Sequence, residues 1–248
     1  MPGPLETAFD ERLSEVNAYL SFLDELEAAA LLGPPRFGAA GNPLSPQQIQ
    51  ILRAGVFVQL YNLIEAMMTR CLDALASASW NGAWKAADLN PHFRKEWVKV
   101  VVAANKELNA ENRLKYAVAM ADLLVKADPL PEFKLEKGGG GNWSDTNIED
   151  MFQRVGLRLR LTPAVRVAAK RIFRDNLGPL ALVVKLRNDL AHGSISFREC
   201  GEKETTAGLR EIAENTSMYL RTVVRAVERF IDRHEFLEPA KRPVQAAI

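Results

Sequence analysis

The stretch from Ser45 to Ser79 does most to decide the fold. Ser45-Pro46-Gln47-Gln48 carries three helix-start signals: a capping serine, a proline at the first helical position, and a glutamine placed to bond back to the cap. The predicted helix continues to about Ser79 and is apolar around much of its circumference. Such a helix has no face to offer water, so other elements must surround it. Its neighbours read as helices too. Phe9, Leu13, Val16, Leu20 and Leu23 recur at spacings of four and three within Leu5–Leu32, and Gly33-Pro34-Pro35 stops that helix. A long helix from about Thr206 to Phe236 carries the seam Leu209, Ile212, Thr216, Tyr219, Val223, Val227 and Phe230. The periodicity predicts an all-α chain.

The remaining signals place shorter elements. Asn90-Pro91 opens a predicted helix through Trp97 and Val102, and another spans Leu114 to Lys126. Asp128-Pro129-Leu130-Pro131 breaks the chain, so residues 80–145 read as an insertion between more regular blocks. Gly138 to Gly141 lacks the lysine and the strand–helix frame of a phosphate loop, and reads as a turn. Thr146-x-x-Glu149 is a capping box, and Gly156 closes its helix. Residues 157–161 alternate and read as a short extended segment, after which Thr162-Pro163 caps a basic helix reaching about Asp175. Pro179 begins a helix that runs from Leu180 to His192, with Gly193 just past its end. The expectation is one domain over residues 1–248: an N-terminal helix (5–32), a core (45–79 and 146–236), the insertion (80–145) and a loose tail (237–248).

Composition narrows the function classes. No window holds 18 uninterrupted apolar residues, and Met1 to Asp10 has no basic run ahead of an apolar core, so neither a membrane span nor a signal peptide is expected. Cys71 and Cys200 lack metal spacing and cannot build a disulfide framework, which suits a reducing cytoplasm. The net charge of +1 hides an asymmetry, with residues 1–150 at −6 and residues 151–248 at +7. Arginine dominates the basic half, and its planar fork matches phosphate better than lysine does. Arg158, Arg160, Arg166, Lys170, Arg171 and Arg174 are the expected contacts to a phosphate-lined partner, RNA.

Chemistry narrows the choice further. Histidine both accepts and donates protons near neutral pH, and cleavage of a phosphodiester also calls for a permanent cation. Of His92, His192 and His234, two follow an arginine at five residues: His192 after Arg187, and His234 after Arg229. Spacing alone does not choose between them, but context does. Asn188 and His192 lie four apart on one helix face, and Gly193 ends that helix, so the imidazole projects from its last turn. Arg229-Phe230-Ile231-Asp232-Arg233-His234 has an apolar residue after its arginine and reads as ordinary surface charge near a helix end. Asn62 and Glu65 sit on the buried second helix, where polar groups need partners. They either make structural bonds within the bundle or hold Arg187 in place.

Arg187-Asn188-x-x-x-His192-Gly193 resembles the signature of the HEPN superfamily. The wider sequence is similar to its MAE-type prokaryotic branch over most of residues 45–235. The similarity lies in Leu60-Tyr61-Asn62-Leu63-Ile64-Glu65, in Gly141-Asn142 followed by Asp145 to Gly156, and in His192-Gly193-Ser194-Ile195-Ser196-Phe197 with Glu199 and Gly201. Gly201-Glu202-Lys203 departs from the pattern, which places a basic residue straight after the glycine. The resemblance implies a four- or five-helix bundle core that pairs with a second copy, each bringing its Arg/His pair to a shared cleft. It implies a toxin or antiviral effector that cuts RNA without metal or cofactor and leaves a cyclic phosphate. An antitoxin or related HEPN subunit is the implied protein partner. In that reading His192 moves protons at the ribose 2′-hydroxyl or the leaving oxygen, Arg187 neutralises the phosphate, and Asn188 orients His192 or the substrate. The competing reading is a non-catalytic HEPN module that binds RNA or nucleotides, or heterodimerises.

Overall fold

A computed structural model describes residues 2–36, 38, 41–103, 110–138 and 142–244. Among the described residues there is no strand. The helices are α1 (Pro4–Leu32), α2 (Pro46–Asn81), α3 (Pro91–Ala103), α4 (Ala110–Lys126), α5 (Asp145–Arg154), α6 (Pro163–Lys170), α7 (Pro179–Ala191), α8 (Phe197–Glu202) and α9 (Thr206–Asp232). The all-α expectation holds. The chain forms two compact units, the first of Met1–Met67, Asn142–Asp145 and Leu161–Thr222, the second of Met68–Gly141, Thr146–Arg160 and Val223–Ile248.

In the first unit the α1 seam is buried at Phe9, Val16, Leu20 and Leu23. Tyr19 Oη donates to the Leu52 carbonyl at 2.7 Å, joining α1 to α2. Arg221 of α9 spans Glu6 and Asp10, at 3.2 and 2.6 Å, and stacks over the Phe9 ring. The pair with exposed Asp10 contributes roughly 0–1 kcal/mol, so the apolar seam carries most of the packing. α2 contributes Phe57, Leu60, Leu63 and Ile64, and α7 contributes Leu182, Val183, Leu186 and Leu190. α6 and α8 both pack on α7. A β-carbon on Gly201 would fall 1.8 Å from the Gln50 carbonyl oxygen, so only glycine lets α8 approach α2 this closely.

The second unit buries Leu72 and Leu75 of α2, Phe93 and Trp97 of α3, and Ile148 and Phe152 of α5. Leu130, Phe133 and Leu135, inside the expected insertion, are buried as well, so that stretch supplies core to this unit. Glu96, 2% exposed, takes a hydrogen bond from Lys99 at 2.5 Å and another from Arg154. Both cysteines are buried and unpaired.

Several boundaries differ from those expected. α6 stops at Lys170, where Arg171 turns extended at ψ 123°; beyond it Asp175 and Asn176 take positive φ, 58° and 56°, and the Phe173 amide closes a loop onto the Leu177 carbonyl. α9 stops at Asp232: His234 has φ +51°, which turns Phe236 and Leu237 back into the core. Thr146 lies inside the first turn of α5 instead of capping it. The tail is tied down where it is described, because the Glu238 amide donates to the Asp88 carbonyl at 2.8 Å and Lys241 lies 3.5 Å from the Asp88 carboxylate. Glycines 139–141 and residues 245–248 lie outside the described residues. α2 is long and apolar enough to cross a bilayer by length and composition, but half of its most apolar window is already buried against protein.

Candidate active site

The site is built at the C-terminal end of α7, within the first unit. Gly178 and Pro179 start the helix, and its buried face carries Leu182, Val183, Leu186 and Leu190. That packing leaves Arg187 and Asn188 half-buried on the flank, and fixes where the last turn points. Two bonds close the turn: the Gly193 amide to the Leu190 carbonyl at 3.3 Å, and the Ser194 amide to the Asp189 carbonyl at 2.8 Å. This double closure needs a left-handed residue, and Gly193 supplies it at φ +72°. His192 is the helix cap; its amide donates to the Asn188 carbonyl at 2.9 Å, and its side chain is exposed.

Arg187 is held from two sides. Its guanidinium lies over the Tyr61 ring, 3.9 Å from the centroid, and Nη1 donates to Asn188 Oδ1 at 2.8 Å. Asn188 then donates from Nδ2 to Asn142 Oδ1 at 3.0 Å. The asparagine therefore links the cation to the segment that precedes α5, and the stacking aligns the guanidinium plane. A guanidinium has five N–H donors, so most of those on Arg187 remain for an anion. Asp189 is engaged by Lys185 Nζ at 2.6 Å. That hydrogen bond holds the Lys185 ammonium above its ordinary pKa. The arrangement offers a fixed cation and, five residues or roughly one and a half turns further on, an exposed imidazole, two groups suited to in-line attack at a phosphodiester.

The other expected residues are distributed more widely. Glu65 is half-buried, one turn beyond Tyr61 on α2. Asn62 is exposed and lines a small cleft with Arg12 and Glu15 of α1, so it is not the buried polar group expected. Arg166 is exposed on α6. Lys170 pairs with Asp145 at 2.5 Å and Arg171 with Glu211 at 2.6 Å. Arg174 is partly buried and pairs with Glu204 at 2.8 Å, where burial pushes the carboxyl up and the guanidinium opposes that shift. Arg158 and Arg160 belong to the second unit. There too, His234 packs against Trp84 and Phe236, with ring centroids 5.9 and 5.7 Å apart. Among the described residues no group of three His, Cys, Asp or Glu is placed to hold a metal ion.

Tyr61 and Asn142 belong to the segments that carry the family resemblance, but no local pattern in the sequence announces their contacts with α7. The signal available was a tyrosine set among Leu60, Leu63 and Ile64 on a buried helix, since a buried phenol ring marks a place where a polar partner arrives. A family model described as HEPN_MAE_28990-like HEPN matches residues 3–236. No curated protein and no solved structure matches.

Proposed function

The chain belongs to the MAE_28990-like HEPN family, and from that membership and the end of α7 we propose that it is a metal-independent endoribonuclease. HEPN domains comprise ribonucleases and nucleotide-binding modules. What supports the nuclease reading is exposed His192 at the end of α7, five residues past Arg187, whose guanidinium is held by Tyr61 and Asn188 but keeps donors for an anion. His192 takes the proton from a ribose 2′-hydroxyl as that oxygen attacks phosphorus. The phosphorus–O5′ bond breaks, and the leaving oxygen takes a proton from a second acid, leaving a 2′,3′-cyclic phosphate. Arg187 neutralises the charge that builds on the phosphorane oxygens. A second copy of the chain supplies the second imidazole, which makes the working cleft a homodimer's. Arg166, exposed on the helix that packs against α7, extends the surface for RNA phosphate. Because such a cleft endangers the cell that makes it, the proposed setting is a cytoplasmic toxin–antitoxin or antiviral system in which a neighbouring protein or a trigger restrains it.

The test is direct. Purified protein in EDTA is expected to fragment RNA, with cyclic phosphate ends. His192→Ala and Arg187→Ala should each lower the rate by about 10²–10⁴ without loss of helicity. Expressed in cells, wild type should arrest growth while His192→Ala does not. One observation favours a non-catalytic module instead: Arg187 already has a ring below it and an amide beside it. That reading wins if RNA is bound equally by wild type and His192→Ala with no new ends at any protein concentration.

A further inference from the structure

The second unit holds a half-open cavity of about 290 Å³ between the segment after α5 and the end of α9. The sequence places arginines on both sides by separate local rules. Gly156, at φ +85°, ends α5 with the Leu157 amide bonded to the Phe152 carbonyl at 2.9 Å. Leu157 is thereby buried, and Arg158 and Arg160, two residues apart, stay exposed. Arg229 on α9 and Arg233, the residue just past it, are four apart, and the Arg233 amide donates to the Arg229 carbonyl at 3.0 Å, which sets both at the helix end beside buried Phe230. All four arginines line the cavity, and one carboxylate joins them: Glu235, 3.9 Å from Arg233.

Several arginines elsewhere pair with carboxylates, among them Arg94, Arg154, Arg171, Arg174, Arg210 and Arg221. Among the described residues Arg158, Arg160 and Arg229 have no such partner. A helix C-terminus favours arginine and so accounts for Arg229 and Arg233. It does not account for Arg158 and Arg160, which arrive from a non-helical segment. Four guanidinium groups facing one cavity repel one another, and a multivalent anion removes that repulsion.

The geometry points to a binding site for a small polyphosphate anion, a triphosphate either inorganic or carried by a nucleotide. A single phosphate has too few oxygens to occupy four guanidinium forks at once, whereas a triphosphate offers one group to each side and one between. The cavity sits near the lower limit of small-ligand pockets, about 300 Å³, so it takes the phosphates and leaves a base largely outside. Bases should therefore be poorly discriminated.

Calorimetric titration of the whole chain in magnesium-free buffer tests this. Inorganic tripolyphosphate, ATP and GTP are expected to bind within about threefold of one another, and at least tenfold more tightly than orthophosphate. Arg160→Gln with Arg229→Gln should weaken tripolyphosphate at least tenfold, and Arg187→Ala should leave it unchanged. Glu235→Gln, which removes the one carboxylate among the described residues that line the cavity, should strengthen binding a fewfold, giving a gain that misfolding cannot imitate. The proposal is overturned if tripolyphosphate does not saturate, if orthophosphate binds equally well, or if Arg187→Ala causes the loss. Displacement of tripolyphosphate by single-stranded RNA with affinity that grows with chain length also overturns it, and assigns the cavity to RNA.

Discussion

Asn188 does two jobs with the two ends of one amide. Its oxygen takes a hydrogen bond from Arg187 and its nitrogen gives one to Asn142, so the cation cannot rotate freely about its long side chain. Asn142 stands at the far end of that relay, away from the reacting atoms, and its loss should misplace Arg187 without removing it. Asn142→Ala is expected to slow RNA cleavage about tenfold, equivalent to about 1.4 kcal/mol. The pH–rate profile should keep its shape and the melting temperature should hardly move. A purely structural role would instead lower stability and leave the rate of the folded fraction intact. The placement of Arg187, Asn188 and His192 at one helix end was legible because their spacing lies within two helical turns. Tyr61 and Asn142 meet α7 across 126 and 46 residues of chain respectively, and no local pattern encodes such a meeting.

At the scale of elements, starts were easier to read than stops. Pro46, Pro91, Pro163 and Pro179 each open a helix where the sequence places one, because proline at the first turn is a local preference. Stops depend on tertiary demand. α6 ends five residues early since Arg171 turns extended, and nothing in Arg171-Ile172-Phe173 announces it; Asp175 and Asn176 then adopt a left-handed backbone that their short polar side chains tolerate. The end of α7 is the exception, because Gly193 sits where only a residue free of a β-carbon is at ease. Gly193→Ala meets no neighbouring atom within 4 Å, so its whole cost is backbone strain. A loss of about 1 kcal/mol or slightly more in urea unfolding is expected, with cleavage falling further than stability alone explains.

For the molecule as a whole, the alternation of apolar positions was enough to give an all-helical chain, and α1, α2 and α9 lie where it placed them, with α9 shorter at its end. It did not give two compact units, because Leu130, Phe133 and Leu135 look like ordinary loop residues until a core closes around them. That second core contains a buried carboxylate. Burial pushes the Glu96 pKa up, but hydrogen bonds from Arg154 and Lys99 outweigh it, so the carboxyl titrates below its usual range. A depressed pKa contributes stability above the unfolded value, roughly 4.3, and that contribution fades as pH falls through the folded one. Glu96→Gln should therefore destabilise by about 1–3 kcal/mol at pH 7, with the gap to wild type shrinking in urea titrations below pH 4. The closure of α7 by Gly193 bears on how such proteins can diverge. Each residue advances a helix by about 100°, so inserting or deleting one position ahead of the glycine would swing the imidazole a quarter-turn or more around the axis. Exposed Ala191 is free to drift, whereas the number of residues between Arg187 and His192 is not.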